Sequence, residues 1–471
     1  MKSYLLYRFY LLLREWAKPF SDPRRVLVLS FSFVIALGSL LLWSPAAWVP
    51  DKAPIRGLEA LFTATSAVCV TGLSVRDTGG EFSFLGQLVI LVLIQAGGLG
   101  ILTFSNFLVV ARRGRIGLRH RMLIEQTHGI LPGLNPGAMI GRIFAYTFTF
   151  ELLGAVILTW RFLDSNPPGR AIWLGVFHSV SAFCNAGFSL FTDSLVGRQA
   201  DLWVNFVVMG LIIAGGLGTI VLADLHHYAT ILIHGRERRP RLIFHTRVVL
   251  WTTGGLILLG ALLVVLFETH SSSMPDTFGG RLLAGLFLSV TSRTAGFNTI
   301  DTGALTNATL LTLVFFMMVG GSPGSTAGGI KTSTMAALIA HFRGQASSNP
   351  KPHLLHRRVS PEIAGKALAT LFGFLTVAMT ALVLLQWTEM GSMGPTAQRA
   401  AFLPHLFEVV SALCTVGLST GVTSELSETG RGVIIACMFL GRLGPILVAS
   451  SLIAVRRRDN FSYPEGNLYI G

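Results

Sequence analysis

The chain has 471 residues, 51% of them hydrophobic and only 13% charged, with a formal net charge of +14. So apolar and charge-poor a composition excludes a soluble surface and makes a bilayer the solvent. The positive balance would suit nucleic acid, but it sits in alternate loops between apolar runs, which excludes that partner and leaves an orientation signal and an attraction to membrane lipid.

Residues 1–25 are cationic and aromatic (Lys2, Arg8, Arg14, Lys18, Arg24, Arg25), with no small-residue cleavage site after the first apolar stretch. They predict a cytoplasmic amphipathic segment, not a cleaved signal. A crossing needs about 20 mostly apolar residues. Eight stretches qualify: 26–48, 83–110, 138–162, 203–223, 247–267, 308–340, 366–387 and 432–455. Most of the basic residues lie in the N-terminal segment, in loops 111–137, 226–247 and 341–366, and in Arg456 to Arg458. Asp77, Glu81, Asp193, Asp201, Asp276, Asp301, Glu425 and Glu428 crowd the opposite side. By the positive-inside rule both termini are cytoplasmic.

Between the two spans of each pair lies a semi-polar segment that ends in a glycine: "FTATSAVCVTGLS", "FHSVSAFCNAGFS", "LFLSVTSRTAGFN" and "FEVVSALCTVGLS". Gly72, Gly187, Gly296 and Gly417 mark a fourfold repeat, the third copy one residue tighter between its phenylalanine and glycine. The second span of each pair carries a further glycine match in "QAGGLG", "IAGGLG", "VGGSPG" and "LGRLGP". A repeat that holds in two places at matched offsets predicts homologous units. They are expected over 26–111, 112–225, 226–340 and 341–458, with a cytoplasmic tail over 459–471. The fold expected is an all-α polytopic membrane protein. It comprises four tandem helix–pore-loop–helix units, with eight transmembrane helices and four re-entrant pore helices, around one pseudo-fourfold central pore.

Irregular backbone at membrane depth is tolerated only where it is buried or lines water. Four such turns can converge on an axis with the partly negative ends of four half-helices aimed at it, which favours a cation. Rings of main-chain carbonyls then replace its hydration shell. The expected lining is Val70, Thr71, Gly72 and Leu73; Asn185, Ala186, Gly187 and Phe188; Thr294, Ala295, Gly296 and Phe297; and Thr415, Val416, Gly417 and Leu418. Their side chains differ widely, as suits ligands drawn from the main chain.

The third copy runs Gly320, Gly321, Ser322, Pro323, Gly324, Ser325, Thr326, Ala327, Gly328, Gly329, too rich in Gly, Ser, Thr and Pro to continue a helix, and predicts a flexible intramembrane loop below the ring. Four basic residues fall within the membrane. Arg142 is expected to snorkel as an anchor. Arg293 is expected to brace the third pore loop through carbonyls or Glu408. Lys331 and Arg442 are grouped with the loop. Glu151 is expected to pair with a hydroxyl or with Arg142. Asp224, His226 and His227 read as a solvated helix end, without metal spacing. "GSPGSTAGGIKTS" lies between apolar runs and not after a strand, so it is no phosphate loop. No acid, base and nucleophile cluster marks an enzyme.

These strings, with "TSRTAGFNT", "GGSPGSTAGGIKTST" and "FLGRLGP", resemble the membrane subunit of the Trk/Ktr/HKT superfamily of K+ transporters, over roughly residues 26–458, most closely its Ktr branch. The resemblance implies uptake of K+ as permeant ion across the cytoplasmic (inner) membrane, Na+ as an activator, and no covalent cofactor. It also implies a homodimer with one pore per subunit, a cytosolic nucleotide-binding regulatory ring, and a gate formed by the loop and Arg442. Some relatives that favour Na+ carry serine at the first ring glycine, and Gly72 is intact here. The alternative is a Na+- or H+-coupled symport by alternating access; four same-direction repeats favour a pore.

Overall fold

In a computed structural model of the chain, residues 23–100, 136–235, 241–269, 273–347, 352–391, 394–445 and 448 are described. The N-terminal segment before 23, most of loop 111–137, the basic run at 236–240 and the tail lie outside the described residues.

Each unit is an outer helix, a pore helix and an inner helix. The first has α1 (Pro23–Trp43), α2 (Gly57–Cys69) and α3 (Phe84–Leu99). The second has α4 (Pro136–Phe162), α5 (Pro168–Phe183) and α6 (Leu202–His234). The third has α7 (Phe244–Phe267), α8 (Phe278–Thr291) and an inner span in two pieces, α9 (Asn307–Met318) and α10 (Thr332–Ala346). A short hairpin, β1 (His353–Leu354) with β2 (Arg357–Arg358), leads into the fourth unit. That unit has α11 (Pro361–Glu389), α12 (Pro395–Leu413) and α13 (Glu428–Leu443).

The four outer helices and α6 are long and apolar enough to cross a membrane. The other inner spans are shorter as described. α9 stops at the glycine-rich loop, and the expected continuations of α3 and α13 fall largely outside the described residues. Exposed Trp43, Trp160, Trp203 and Trp387 stand at the ends of their helices nearest the pore-helix loops. Indole rings collect at such a boundary because one end is apolar and the other wet.

The repeat extends to the caps. Every inner helix opens on a residue whose side chain accepts from a backbone N–H three positions on: Ser83, Asp201, Thr306 and Ser427. Glu268 and Glu389, ending the third and fourth outer helices, accept in turn from Thr306 and Ser427, which ties outer to inner helix. The expected breaks fall at glycines with positive φ: Gly100 (81°), Gly218 (77°) and Gly444 (87°). Ahead of them, a Cβ on Gly97, Gly215 or Gly441 would overlap the carbonyl of Val68, Phe183 or Leu413 in the last turn of a pore helix. Only glycine lets the inner helix approach so closely.

Closure is visible in the packing between units. α3 lies on α5, α6 on α8, α9 on α12, and α13 returns to α2. The four phenylalanines at one repeat position, Phe62, Phe177, Phe287 and Phe407, are wholly buried in this core. Fourfold sequence repetition thus becomes a pseudo-fourfold bundle around one axis.

Candidate ion-conduction site

Each pore helix ends in the same backbone path. The residue two before the repeat glycine is left-handed although it is never glycine: Val70 (φ 57°), Asn185 (58°), Thr294 (72°) and Thr415 (51°). The glycines follow at 93° (Gly72), 70° (Gly187), 82° (Gly296) and 93° (Gly417). A left-handed L residue costs roughly 1–2 kcal/mol, so the surroundings must impose it. In the first copy the N–H of Thr71 donates to the Ser66 carbonyl at 2.8 Å and that of Gly72 to Ser66 Oγ at 3.0 Å. In the fourth, Val416 and Gly417 do the same with Ser411, at 2.8 and 3.1 Å. In the other two the hydroxyl turns outward: Ser181 Oγ donates to the Phe188 carbonyl at 2.8 Å and Thr291 Oγ1 to that of Phe297 at 2.6 Å. A glycine-centred motif passes over these hydroxyls, yet they recur six residues before the glycine, five in the tighter third copy.

The four turns meet. A methyl built on Gly72 would lie 3.0 Å from Cα of Gly187, one on Gly187 3.0 Å from Gly296, one on Gly296 3.1 Å from Gly417, and one on Gly417 3.1 Å from Gly72. The neighbours follow chain order and close on themselves. Each imagined methyl also meets the carbonyl oxygen preceding the next glycine, of Ala186, Ala295, Val416 and Thr71 in turn. The twelve non-glycine residues expected at the lining have buried side chains. Main-chain oxygens and glycine Cα atoms are therefore left nearest the axis, at the convergent negative ends of four helices.

On one side the ring opens into a cavity of about 510 Å³ lined by all four units, including the four glycines and Ser74, Ser189, Asn298 and Ser419 just beyond them. Asp77, Glu81 and Asp301 stand in this mouth with Arg76. Arg76 is bound by Glu59 and Glu81, each at 2.9 Å. Burial pushes the Glu59 carboxyl up, but the Arg56 backbone N–H at 3.0 Å and the Arg76 guanidinium outweigh it and hold Glu59 below its usual value.

On the other side lies the expected loop. It is anchored rather than loose: Gly320 N–H donates to Ile330 at 2.9 Å, Ser322 N–H to Gly216 at 2.9 Å and Thr326 N–H to Gly215 at 3.3 Å. Thr326 Oγ1 reaches the Phe183 carbonyl at 3.2 Å, and Lys331 Nζ that of Ala327 at 2.7 Å. Arg442 donates to the Thr326 carbonyl at 2.5 Å and to Gly97 on α3. All twelve residues grouped from the sequence thus lie in one assembly under the ring. Of the two partners expected for Arg293, the carbonyl is the one found, that of Gly320 at 3.0 Å. Glu408 instead accepts from Ser419 and Thr423. Glu151 meets neither a hydroxyl nor Arg142 at its carboxyl; Gln95 donates to it at 3.2 Å and the Cys184 thiol at 3.8 Å. Those partners come from other helices, so no local spacing announced them. Asp224 accepts from Ile243 N–H at 3.0 Å, and His226 bonds Tyr146 at 3.0 Å.

The profile of the TrkH family, described as "Cation transport protein", matches residues 13–461. The "Ktr system potassium uptake protein B" of Bacillus subtilis is 35% identical over 461 residues, 95% of this chain and 97% of that protein. The protein of the same name in Vibrio alginolyticus is 35% identical, covering 95% and 94%. "Potassium/sodium uptake protein NtpJ" of Enterococcus hirae is 34% identical, covering 96% and 97%. The crystal structure of the potassium transporter TrkH from Vibrio parahaemolyticus shares the fold, with a TM-score of 0.69 at 18% identity over 92% of this chain and 85% of that one. With a matched profile over nearly its whole length and a closed fourfold ring, the chain belongs to the TrkH family, whose members are ion transporters and not enzymes.

Proposed function

We propose that the chain carries K+ into the cell through the ring at Gly72, Gly187, Gly296 and Gly417, with Val70 to Leu73, Asn185 to Phe188, Thr294 to Phe297 and Thr415 to Leu418 as its selectivity filter. The observation that carries this reading is the closed circuit of glycines, each facing the next strand's carbonyl. Such oxygens replace the hydration shell of a cation that can shed its water. The relatives' names favour K+, and one that names sodium as well supports a link to Na+, which in this reading acts as an activator. Uptake draws on the membrane potential, ~2.3 kcal/mol per charge per 100 mV.

The mouth faces outward and the loop from Gly320 to Gly329 faces the cytoplasm, with both termini inside, as the basic loops favour. That loop, Lys331 and Arg442 form the gate in this reading. A loop held by a few hydrogen bonds is a two-state element that a partner can bias. The partner is a cytosolic nucleotide-binding ring docked on Arg236 to Arg241 and His356 to Arg358, and two copies of the chain form a homodimer in the inner membrane. Purified protein in K+-loaded proteoliposomes tests the transport reading: labelled Rb+ should accumulate down the K+ diffusion potential without a Na+ or H+ gradient. Uptake that requires such a gradient would favour the coupled symport instead.

A further inference from the structure

Two buried titratable side chains behind the ring have no part in the reading above. His178, wholly buried in α5, has Nδ1 2.8 Å from the Leu174 carbonyl one turn back, so Nδ1 carries the proton and Nε2 is left to accept. Nε2 lies 3.0 Å from Ser189 Oγ and 3.4 Å from the Leu190 backbone nitrogen. Glu408, wholly buried in α12, accepts at Oε2 from Ser419 Oγ at 3.0 Å and at Oε1 from Thr423 Oγ1.

The two occupy one repeat position. Each stands nine residues before its ring glycine and holds the serine two residues after it. In both loops that serine accepts from the N–H two residues on, Phe191 at 3.0 Å and Gly421 at 3.0 Å. That turn leaves the hydroxyl hydrogen to point elsewhere. For Ser189 the Ser194 carbonyl at 3.3 Å is a longer alternative to His178, and for Ser419 the Thr423 hydroxyl at 2.9 Å joins the same cluster.

The first and third units lack the device. Thr63, at the same position of the first, donates to its own helix at the Glu59 carbonyl, 2.9 Å away, and Ser74 turns to the Arg76 carbonyl. The third offers only apolar Phe287 and Leu288, and Asn298 bonds Ile300 at 3.2 Å. Since the glycines follow chain order around the ring, the second and fourth units face each other across the axis. An imidazole and a carboxyl buried where threonine or leucine fits elsewhere are costly unless hydrogen-bonded. What they bond is the rim of the mouth, where Ser189 and Ser419 line the cavity.

We propose that His178 and Glu408 are specificity-determining positioning residues, which clamp Ser189 and Ser419 and so fix the outermost carbonyls of two opposed ring strands at the spacing of the larger cation. This inference deepens the K+ reading and rests on it. The test is Vmax/KM for K+ and for Na+ uptake by the full chain in cells lacking other K+ systems, with abundance in the membrane measured alongside. Glu408→Ala and Ser419→Ala each lower the K+/Na+ ratio about tenfold, as expected for loss of one buried hydrogen bond to a charged or strongly polar group. The double variant is no worse than the larger single one. Glu408→Gln, which still reaches both hydroxyls, restores most of the ratio. His178→Ala falls with Ser189→Ala in the same way, and Thr63→Ala keeps the ratio of the unmodified chain. Where Glu408→Ala fails to accumulate, Ser419→Ala decides, because it removes a single hydroxyl. An unchanged ratio in Ser419→Ala at normal abundance, or Glu408→Gln as damaging as Glu408→Ala, overturns the proposal. Absence of K+ uptake by the unmodified chain would overturn the transport reading instead.

Discussion

Replacing Arg442 by alanine should raise uptake. Its guanidinium gives one hydrogen bond to Thr326 in the loop at 2.5 Å and another to Gly97 on α3, so one side chain ties the loop to two other units. Hydrogen bonds from charged donors contribute ~1.5–3 kcal/mol each, and only the first of these acts on the loop. Its loss alone would change the closed-to-open ratio by about 10- to 150-fold, at 1.4 kcal/mol per decade. The anchors at Gly215 and Gly216 survive the substitution, which places the expected rise near the lower figure, about tenfold. Removing a fixed positive charge from the path of a permeating cation acts in the same direction. Initial Rb+ uptake per copy in proteoliposomes measures the change. Arg442→Lys, with a charge but no fork, should fall between. Shortening the loop should also accelerate uptake, and combining the two should do little more than the larger single effect. Slower uptake from both changes, adding when combined and with abundance unchanged, would refute the reasoning: the pair would then build the conducting path and not close it.

Gly72→Ser should lower the K+/Na+ uptake ratio about tenfold, because an L residue at φ 93° costs roughly 1–2 kcal/mol and its Cβ overlaps the Ala186 carbonyl of the next strand; unchanged selectivity at normal abundance removes residue 72 from the filter. The depressed Glu59 carboxyl stabilises the fold fully above the ordinary carboxylate pKa, and that contribution is lost as pH falls through the lowered value. Thermal unfolding in detergent should therefore show acid destabilisation that Arg76→Gln shifts to higher pH, and identical pH profiles for the two proteins would remove the ion pair as its cause. Co-purification under mild detergent and low salt should recover a soluble nucleotide-binding protein with the chain, and recovery of the membrane chain alone counts against the docking role given to the basic loops.

Much of this was legible in one sequence because a repeat supplies its own comparison. Four glycines in register announced the ring, and a second set announced inner helices that break. The breaks themselves sit at Gly100, Gly218 and Gly444, the later glycine or the one before proline in each string. The left-handed Val70, Thr294 and Thr415 were illegible, since β-branched residues avoid that region locally and only hydrogen bonds back to the pore helix impose it. For Arg293 the sequence points to a carbonyl but not to which one, that of Gly320, and for Glu151 it points to neither Gln95 nor Cys184. Gly320 reaches Arg293 from the glycine-rich loop and Gln95 reaches Glu151 from α3, and contacts of that kind leave no period or spacing in the chain.

The glycine circuit joins four different strands of a single polypeptide. A defect in one quadrant is consequently present in every pore its chain makes and in none made by another chain. Co-expression of damaged and intact chains should reduce transport in simple proportion to the damaged fraction. Four separate subunits sharing one ring would instead lose function with the fourth power of the intact fraction. The same covalent linkage frees each quadrant to drift on its own, which is how one side can carry a glycine-rich interruption, another an arginine beneath the ring, and opposite sides a histidine and a glutamate, without any of these being imposed on the rest.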